Sequence, residues 1–126
     1  MTKNHNDTNI KEKLRQALIS TVKVISEDFR KDIEIKDEKA TKEFDFIDLD
    51  NLVTKKDFLK ARATSDSVAL KRKFSNENIY KKNLPSNSSC KSLYSITEKI
   101  RYECLGAKML KGIKKNLEDN YNQIIY

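Results

Sequence analysis

The chain has 126 residues, of which 36% are charged and 37% hydrophobic, with a formal net charge of +7 and only two Gly, one Pro, two Cys and one His. A chain this long supports one core and no second domain. So few Gly and Pro exclude the many tight turns of an all-β sandwich or barrel, and no apolar run approaches the ~18 residues of a membrane span. The polar start from Met1 to Asn6 carries no apolar signal-peptide core, so the expected setting is the cytoplasm, away from membranes.

Residues 1–8 are expected as a disordered tail and residues 9–126 as one helical domain. Ile10, Leu14, Leu18, Val22, Ile25 and Phe29 recur every three or four positions, which predicts an amphipathic helix over about 9–28 with Asp7 or Thr8 as its cap. The period then shortens. Ile33 and Ile35 alternate with charged residues, and Phe44 and Phe46, with Ile47 and Leu49 as their continuation, do likewise after the charged stretch Asp37 to Glu43, which predicts two short strands. Thr54 and Asp57 have the spacing of a capping box, and the helix they open places Leu59, Ala63, Leu70 and Phe74 on one stripe, with Asp66 among them. The segment Leu84 to Ser89 reads as a loop ending in N-cap residues. The helix it starts is expected to turn Cys90, Leu93, Tyr94, Thr97, Ile100 and Cys104 inward, with Glu98, Arg101 and Glu103 beside that stripe. Gly106 either ends this helix or permits close packing, and Gly112 marks a turn before a last helix with Leu117, Tyr121, Ile124 and Ile125. The expected class is α+β and predominantly α-helical, with about four helices and a small two-stranded β element between the first and the second.

The charge is unevenly placed. Residues 1–53 hold 10 Lys+Arg against 12 Asp+Glu, net −2, whereas residues 54–126 hold 16 against 7, net +9. The basic half calls for an acidic neighbour, whether nucleic acid, an anionic surface or an acidic protein segment. No aromatic-Arg interleaving or nucleic-acid motif accompanies the lysines, so no specific nucleic acid is expected.

Little in the chain supports chemistry of its own. Cys90 and Cys104 lie fourteen residues apart, about 21 Å along a shared helix, which is too far for a disulfide. Neither belongs to a C-x-x-C pair, and His5 is the lone histidine, so no metal site is expected. Gly106 and Gly112 have the wrong spacing for a P-loop and are too few for a dinucleotide fingerprint. No cofactor and no catalytic residue are expected in the chain itself.

Two stretches are more specific. Arg62-Ala63-Thr64-Ser65-Asp66-Ser67-Val68-Ala69-Leu70 resembles the Arg-Gly-x-Ala-Asp-Ser-x-Ala-Leu segment of the T subunits of the aerobic, ATP-dependent cobaltochelatases. Leu93-Tyr94, Glu98, Arg101, Glu103, Leu105-Gly106-Ala107, Gly112 and Asn116-Leu117 then follow, in order and spacing, the signature Leu-Phe-x-x-x-Glu-x-x-Arg-x-Glu-x-Leu-Gly-Ala…Gly…Asn-Leu of that family. The resemblance spans roughly residues 10–125 and is strong only after Arg62. Ala63 stands where the family has Gly, and Ser75 and Tyr80 stand near positions where it has His, so no contact made by those histidines carries over.

The resemblance implies a division of labour. The complete T subunit continues into an acidic linker and a von Willebrand A-type domain, and it works with an AAA+ ATPase subunit and a large chelating subunit that inserts cobalt into hydrogenobyrinic acid a,c-diamide. No Asp-x-Ser-x-Ser occurs in these 126 residues, so the resemblance is to the amino-terminal domain. ATP, magnesium and cobalt then belong to the complete complex. The implied role is a non-catalytic interaction or scaffolding domain in cobalamin biosynthesis, with the acidic linker of its own subunit as a further partner for the basic half. The alternative is a free-standing basic helical module that binds nucleic acid or another acidic polymer. Arg62, Asp66, Ser67, Glu98, Arg101, Glu103, Gly106 and Asn116 are the candidate signature or interface residues. Helical geometry puts Asp66 on one apolar stripe and Arg101 beside another, so these two are expected to pair, with Arg62 and Glu98 or Glu103 extending the network.

Overall fold

The computed structural model describes residues 3–26 and 52–125, with side chains described from residue 9 onward. Among these residues there are five helices and no strand. They are α1 (Lys3–Ser26), α2 (Lys55–Phe74), α3 (Glu77–Lys82), α4 (Ser88–Met109) and α5 (Lys111–Ile125). Among the described residues the expected α+β class with about four helices is therefore replaced by an all-helical arrangement of five. Both expected strands fall within residues 27–51, outside the described residues.

Each helix boundary has a local cause. α1 begins at Lys3, so Asp7 and Thr8 lie inside it and do not cap it. At α2 the capping box forms: the Thr54 hydroxyl accepts from the Asp57 backbone N–H, and the Asp57 carboxylate accepts from the Thr54 N–H. α3 escapes hydropathy reading because none of its residues is buried; its start is fixed by Asn76, whose side-chain oxygen accepts from the N–H groups of Asn78 and Ile79. Asn87 caps α4 in the same way, accepting from Ser89 and Cys90. The break between α4 and α5 is a single extended residue, Leu110, and Gly112 lies inside α5. The Leu110 N–H closes the last turn of α4 on the Gly106 carbonyl, and its own carbonyl accepts from Lys114 in the first turn of α5.

α2 is the centre of the packing, touching α1, α4 and α5, while α4 and α5 also touch each other as a hairpin. Leu18, Val22 and Ile25 of α1 meet Ala63, Ala69 and Leu70 of α2, and Tyr102, Ile113 and Leu117 complete the core. Leu14, Leu18, Val22 and Ile25 of α1 and Leu59, Ala63, Leu70 and Phe74 of α2 thus follow the expected stripes, whereas Ile10 is exposed and Phe29 lies outside the described residues. The α4 stripe is not. Tyr102 and Gly106 turn inward, whereas Cys90, Leu93, Thr97, Ile100 and Cys104 are exposed and Tyr94 is partly buried. The error has a simple source: the face of α4 that meets α2 is made of a Gly, a phenol and a carboxylate, which a hydropathy stripe does not register. Both cysteines are free thiols on this helix.

Gly106 decides how closely α4 approaches α2. A Cβ built there would overlap both methyl carbons of Leu70 and lie 2.8 Å from its Cγ. Leu70 is fully buried, so any shift of its side chain has to displace the core around it. A Cβ at Gly112, in contrast, meets nothing within 4 Å. Gly106→Ala is therefore expected to lower stability, because overpacking costs about 1–3 kcal/mol while the gain in helix propensity returns at most about 1 kcal/mol. Gly112→Ala is expected to be neutral or to stabilise by up to about 1 kcal/mol. Urea unfolding of the two variants beside the parent separates these outcomes.

Candidate functional site

The residues that single out this sequence converge on the seams between α2, α4 and α5. Asp66 and Ser67 are adjacent on α2, buried, and point to different neighbours. The Asn116 side-chain amide of α5 donates to Asp66 Oδ2 at 2.8 Å. The Ser67 hydroxyl donates to Glu103 Oε1 of α4 at 2.7 Å, and the Tyr121 hydroxyl of α5 donates to Glu103 Oε2 at 2.6 Å. Glu103 is itself buried, so one carboxylate ties three helices together through both of its oxygens. Lys99, one turn earlier on α4, places its ammonium 4.0 Å from the same Oε1 and partly offsets the charge.

A second cluster closes the far end of α2. The Arg101 guanidinium grips Glu98 with Nε at 3.0 Å and Nη2 at 2.6 Å, and the same Nη2 donates to the Phe74 carbonyl at 2.9 Å. A cation on the last carbonyls of a helix meets the negative end of its dipole. The Ser75 hydroxyl donates to Glu98 Oε1 at 2.9 Å, so the residue after the helix is held by the same carboxylate. Beside it Tyr80 of α3 lies against Tyr94 of α4, with ring centroids 5.0 Å apart.

These contacts revise the expected network. Asp66 bonds Asn116 and Arg101 bonds Glu98, so the Asp66–Arg101 pair does not form. Glu98 and Arg101 are three residues apart on one helix, and that local partner is met before any distant one. Arg62 is exposed on α2, one turn before Asp66, with its guanidinium carbon 5.8 Å from the centroid of the Phe58 ring. Of the eight candidates, Asp66 and Asn116, Ser67 and Glu103, and Glu98 and Arg101 are brought together as pairs, and Gly106 serves the α2–α4 contact. Sequence reading missed Ser75 and the role of Tyr121. Tyr121 had one available signal: a phenol on the apolar stripe of a helix needs a buried acceptor, and Glu103 needs donors.

The electrostatics follow from these surroundings. Burial pushes the Asp66 carboxyl above its ordinary value, against the Asn116 hydrogen bond and the Arg62 charge, which act the other way. The Arg101 hydrogen bond holds Glu98 below the usual carboxylate range. Burial raises the Tyr102 and Tyr121 phenols, and for Tyr121 the hydrogen bond to Glu103 adds to the effect. Such groups are arranged for holding, not for proton transfer: the Glu103 oxygens are occupied by donors from the protein, and Asp66 faces an amide. Among the described residues no group of three or more His, Cys, Asp or Glu could hold a metal ion. Nor does a glycine frame a phosphate loop, since Gly106 and Gly112 both lie within helices.

A family model described as "Cobalamin biosynthesis protein CobT" matches residues 8–125, nearly the whole chain. The chain belongs to the CobT family and thereby to cobalamin biosynthesis. Comparison with the curated proteins and with the solved structures gives no significant match. The described helices include none long and apolar enough to cross a membrane.

Two substitutions test the seam. Tyr121→Phe leaves a largely buried carboxylate oxygen without its donor, and a loss of about 1–3 kcal/mol in unfolding free energy is expected. Asp66→Asn keeps an oxygen for Asn116 and removes the charge that burial disfavours, so the variant is expected to match or exceed the parent at neutral pH. The sign follows from the raised carboxyl. Between its ordinary value of 3.8 and the higher folded one the native state binds more protons than the unfolded state, so the parent loses stability as pH rises through that window. The advantage of Asn over Asp should vanish as pH falls below 3.8, which thermal melts from pH 3 to pH 7 would register.

Proposed function

We propose that the chain is a non-catalytic interaction domain of the T subunit of an ATP-dependent cobaltochelatase, helping the AAA+ ATPase subunit engage the large chelating subunit during cobalt insertion into hydrogenobyrinic acid a,c-diamide in the cytoplasm. One observation carries this reading: the residues that make the family signature are spent on joining helices to one another, with Asp66, Ser67, Glu98 and Glu103 each held by a neighbouring side chain. A signature used to fix the mutual position of three helices suits a domain whose product is its own shape. Nucleotide hydrolysis and metal insertion in this reading occur on the other two subunits. The lysines of residues 54–126 supply a positive field for acidic partner surfaces, including the acidic linker of the same subunit.

The test is reconstitution. Tagged chain mixed with the ATPase subunit and the chelating subunit is expected to co-elute with at least one of them, and to show no ATPase activity when alone. Failure to associate with either subunit, ATP turnover by the pure chain, or sequence-dependent nucleic-acid binding that survives physiological salt would each overturn the proposal.

A further inference from the structure

Asp66 lines a cleft between α1, α2 and α5 that the proposed function leaves unused, with a volume of about 480 Å³. Its floor is buried, with Asp66 beside Ile25 and Ile113, and its rim is exposed, with Ser20, Thr21 and Val24. Asp66 itself is only 4% exposed. Asn116 donates to its Oδ2, whereas Oδ1 has no hydrogen-bond donor among the described residues. Nor is Oδ1 sealed off: among these residues the fully buried side-chain polar atom without a partner is Gln123 Oε1. One oxygen of a buried carboxylate is thus left open to a donor from outside the chain.

The fold does not require the charge. An amide at this position would accept the same bond from Asn116, and burial works against the ionised form, pushing the carboxyl above its ordinary value. A cation brought to Oδ1 acts in the opposite sense, and the cleft supplies none of its own. Asp66 is the sole charged residue among the described residues that line it, in a chain with 26 Lys and Arg. Arg62, whose charge acts on Asp66 from one turn away, has its guanidinium carbon 5.8 Å from the centroid of the Phe58 ring and does not line the cleft.

We propose that this cleft binds a primary ammonium on an aliphatic stem, with Asp66 Oδ1 receiving the charge and Val24, Ile25 and Ile113 covering the stem. The acceptors select an ammonium over a guanidinium, because the two-pronged grip of a guanidinium needs both carboxylate oxygens and Oδ2 is held by Asn116. An ammonium has three donors to satisfy. Asn116 bonds Asp66 through its nitrogen and keeps its oxygen as an acceptor, and the Thr21 hydroxyl, which donates to the Ala17 carbonyl, keeps its own. A lysine side chain of a partner protein and a free alkylamine share this chemistry. This inference does not rest on the proposed function.

The two glycines of the chain provide the readout, since Gly112 lines the cleft and Gly106 lies against Leu70 on the other side of α2. In nitrogen–proton correlation spectra of the full chain, n-butylammonium is expected to move the Gly112 signal and the Asn116 side-chain amide to saturation while Gly106 stays in place. A Kd on the order of millimolar suits so small a ligand. n-Butanol, which has the stem without the charge, should bind at least about tenfold more weakly, and so should butylammonium to Asp66→Asn. Val24→Trp, at the exposed rim, fills the cleft with Asp66 intact and should remove the response. Acetyl-lysine methylamide with a free side-chain ammonium distinguishes the sources: binding tighter than that of butylammonium points to a lysine side chain, and weaker binding to a free amine. Absence of a saturable Gly112 shift overturns the proposal, as does an equal response to butanol or an unchanged Kd in either variant. Should Asp66→Asn fail to fold, butanol and Val24→Trp decide the question without it.

Discussion

The approach of α4 to α2 at Gly106 is the constraint on which the remaining contacts depend. With no Cβ at that point the two helix backbones close on the buried Leu70 side chain, and this separation brings the side chains one turn away on either helix within bonding range. Ser67 meets Glu103 one turn before the contact, and Ser75 meets Glu98 further along. Hydrogen bonds tolerate errors of only a few tenths of an ångström, so a wider crossing would leave Glu103 buried without its donor from α2. A glycine contact and a carboxylate thus act as one device, the first setting a distance and the second consuming it.

Much of the helical scheme was legible in the sequence, and the legible parts share a cause. The α1 stripe through Leu18, Val22 and Ile25, the Thr54–Asp57 capping box and the buried position of Asp66 are all set by residues within one or two turns of each other. Local periodicity and local capping carry that information directly. What failed was anything requiring knowledge of a distant neighbour. The six-residue α3 has no buried side chain and therefore no stripe to read, while the break at Leu110 falls on an apolar residue between two glycines that looked like better punctuation.

The polar network shows the same division at finer scale. Asp66 was expected to be buried and paired, and it is, but with an amide fifty residues away in place of the guanidinium first matched to it. Opposite charge made Arg101 the natural candidate, yet Arg101 had Glu98 within its own helix and the open carbonyl of Phe74 at the end of α2. Charge sign alone ranks partners poorly when a local carboxylate and the last carbonyl of a helix compete for the same cation. A resemblance to a family can mark which residues matter without saying which of them touch.

The single-residue link at Leu110 has a consequence for the order in which these contacts can form. α4 and α5 need no loop to fold back on each other, so their hairpin closes with little loss of chain entropy, and Tyr121 reaches Glu103 across only 18 residues. Ser67 must reach the same carboxylate across 36 residues, and Asn116 must find Asp66 across 50. In contact-order terms the hairpin is the cheap half of the fold and its docking onto α2 the slow half. The carboxylate that later binds three helices is then already half satisfied when α2 arrives, which spares the assembling chain a bare buried charge at its most crowded seam.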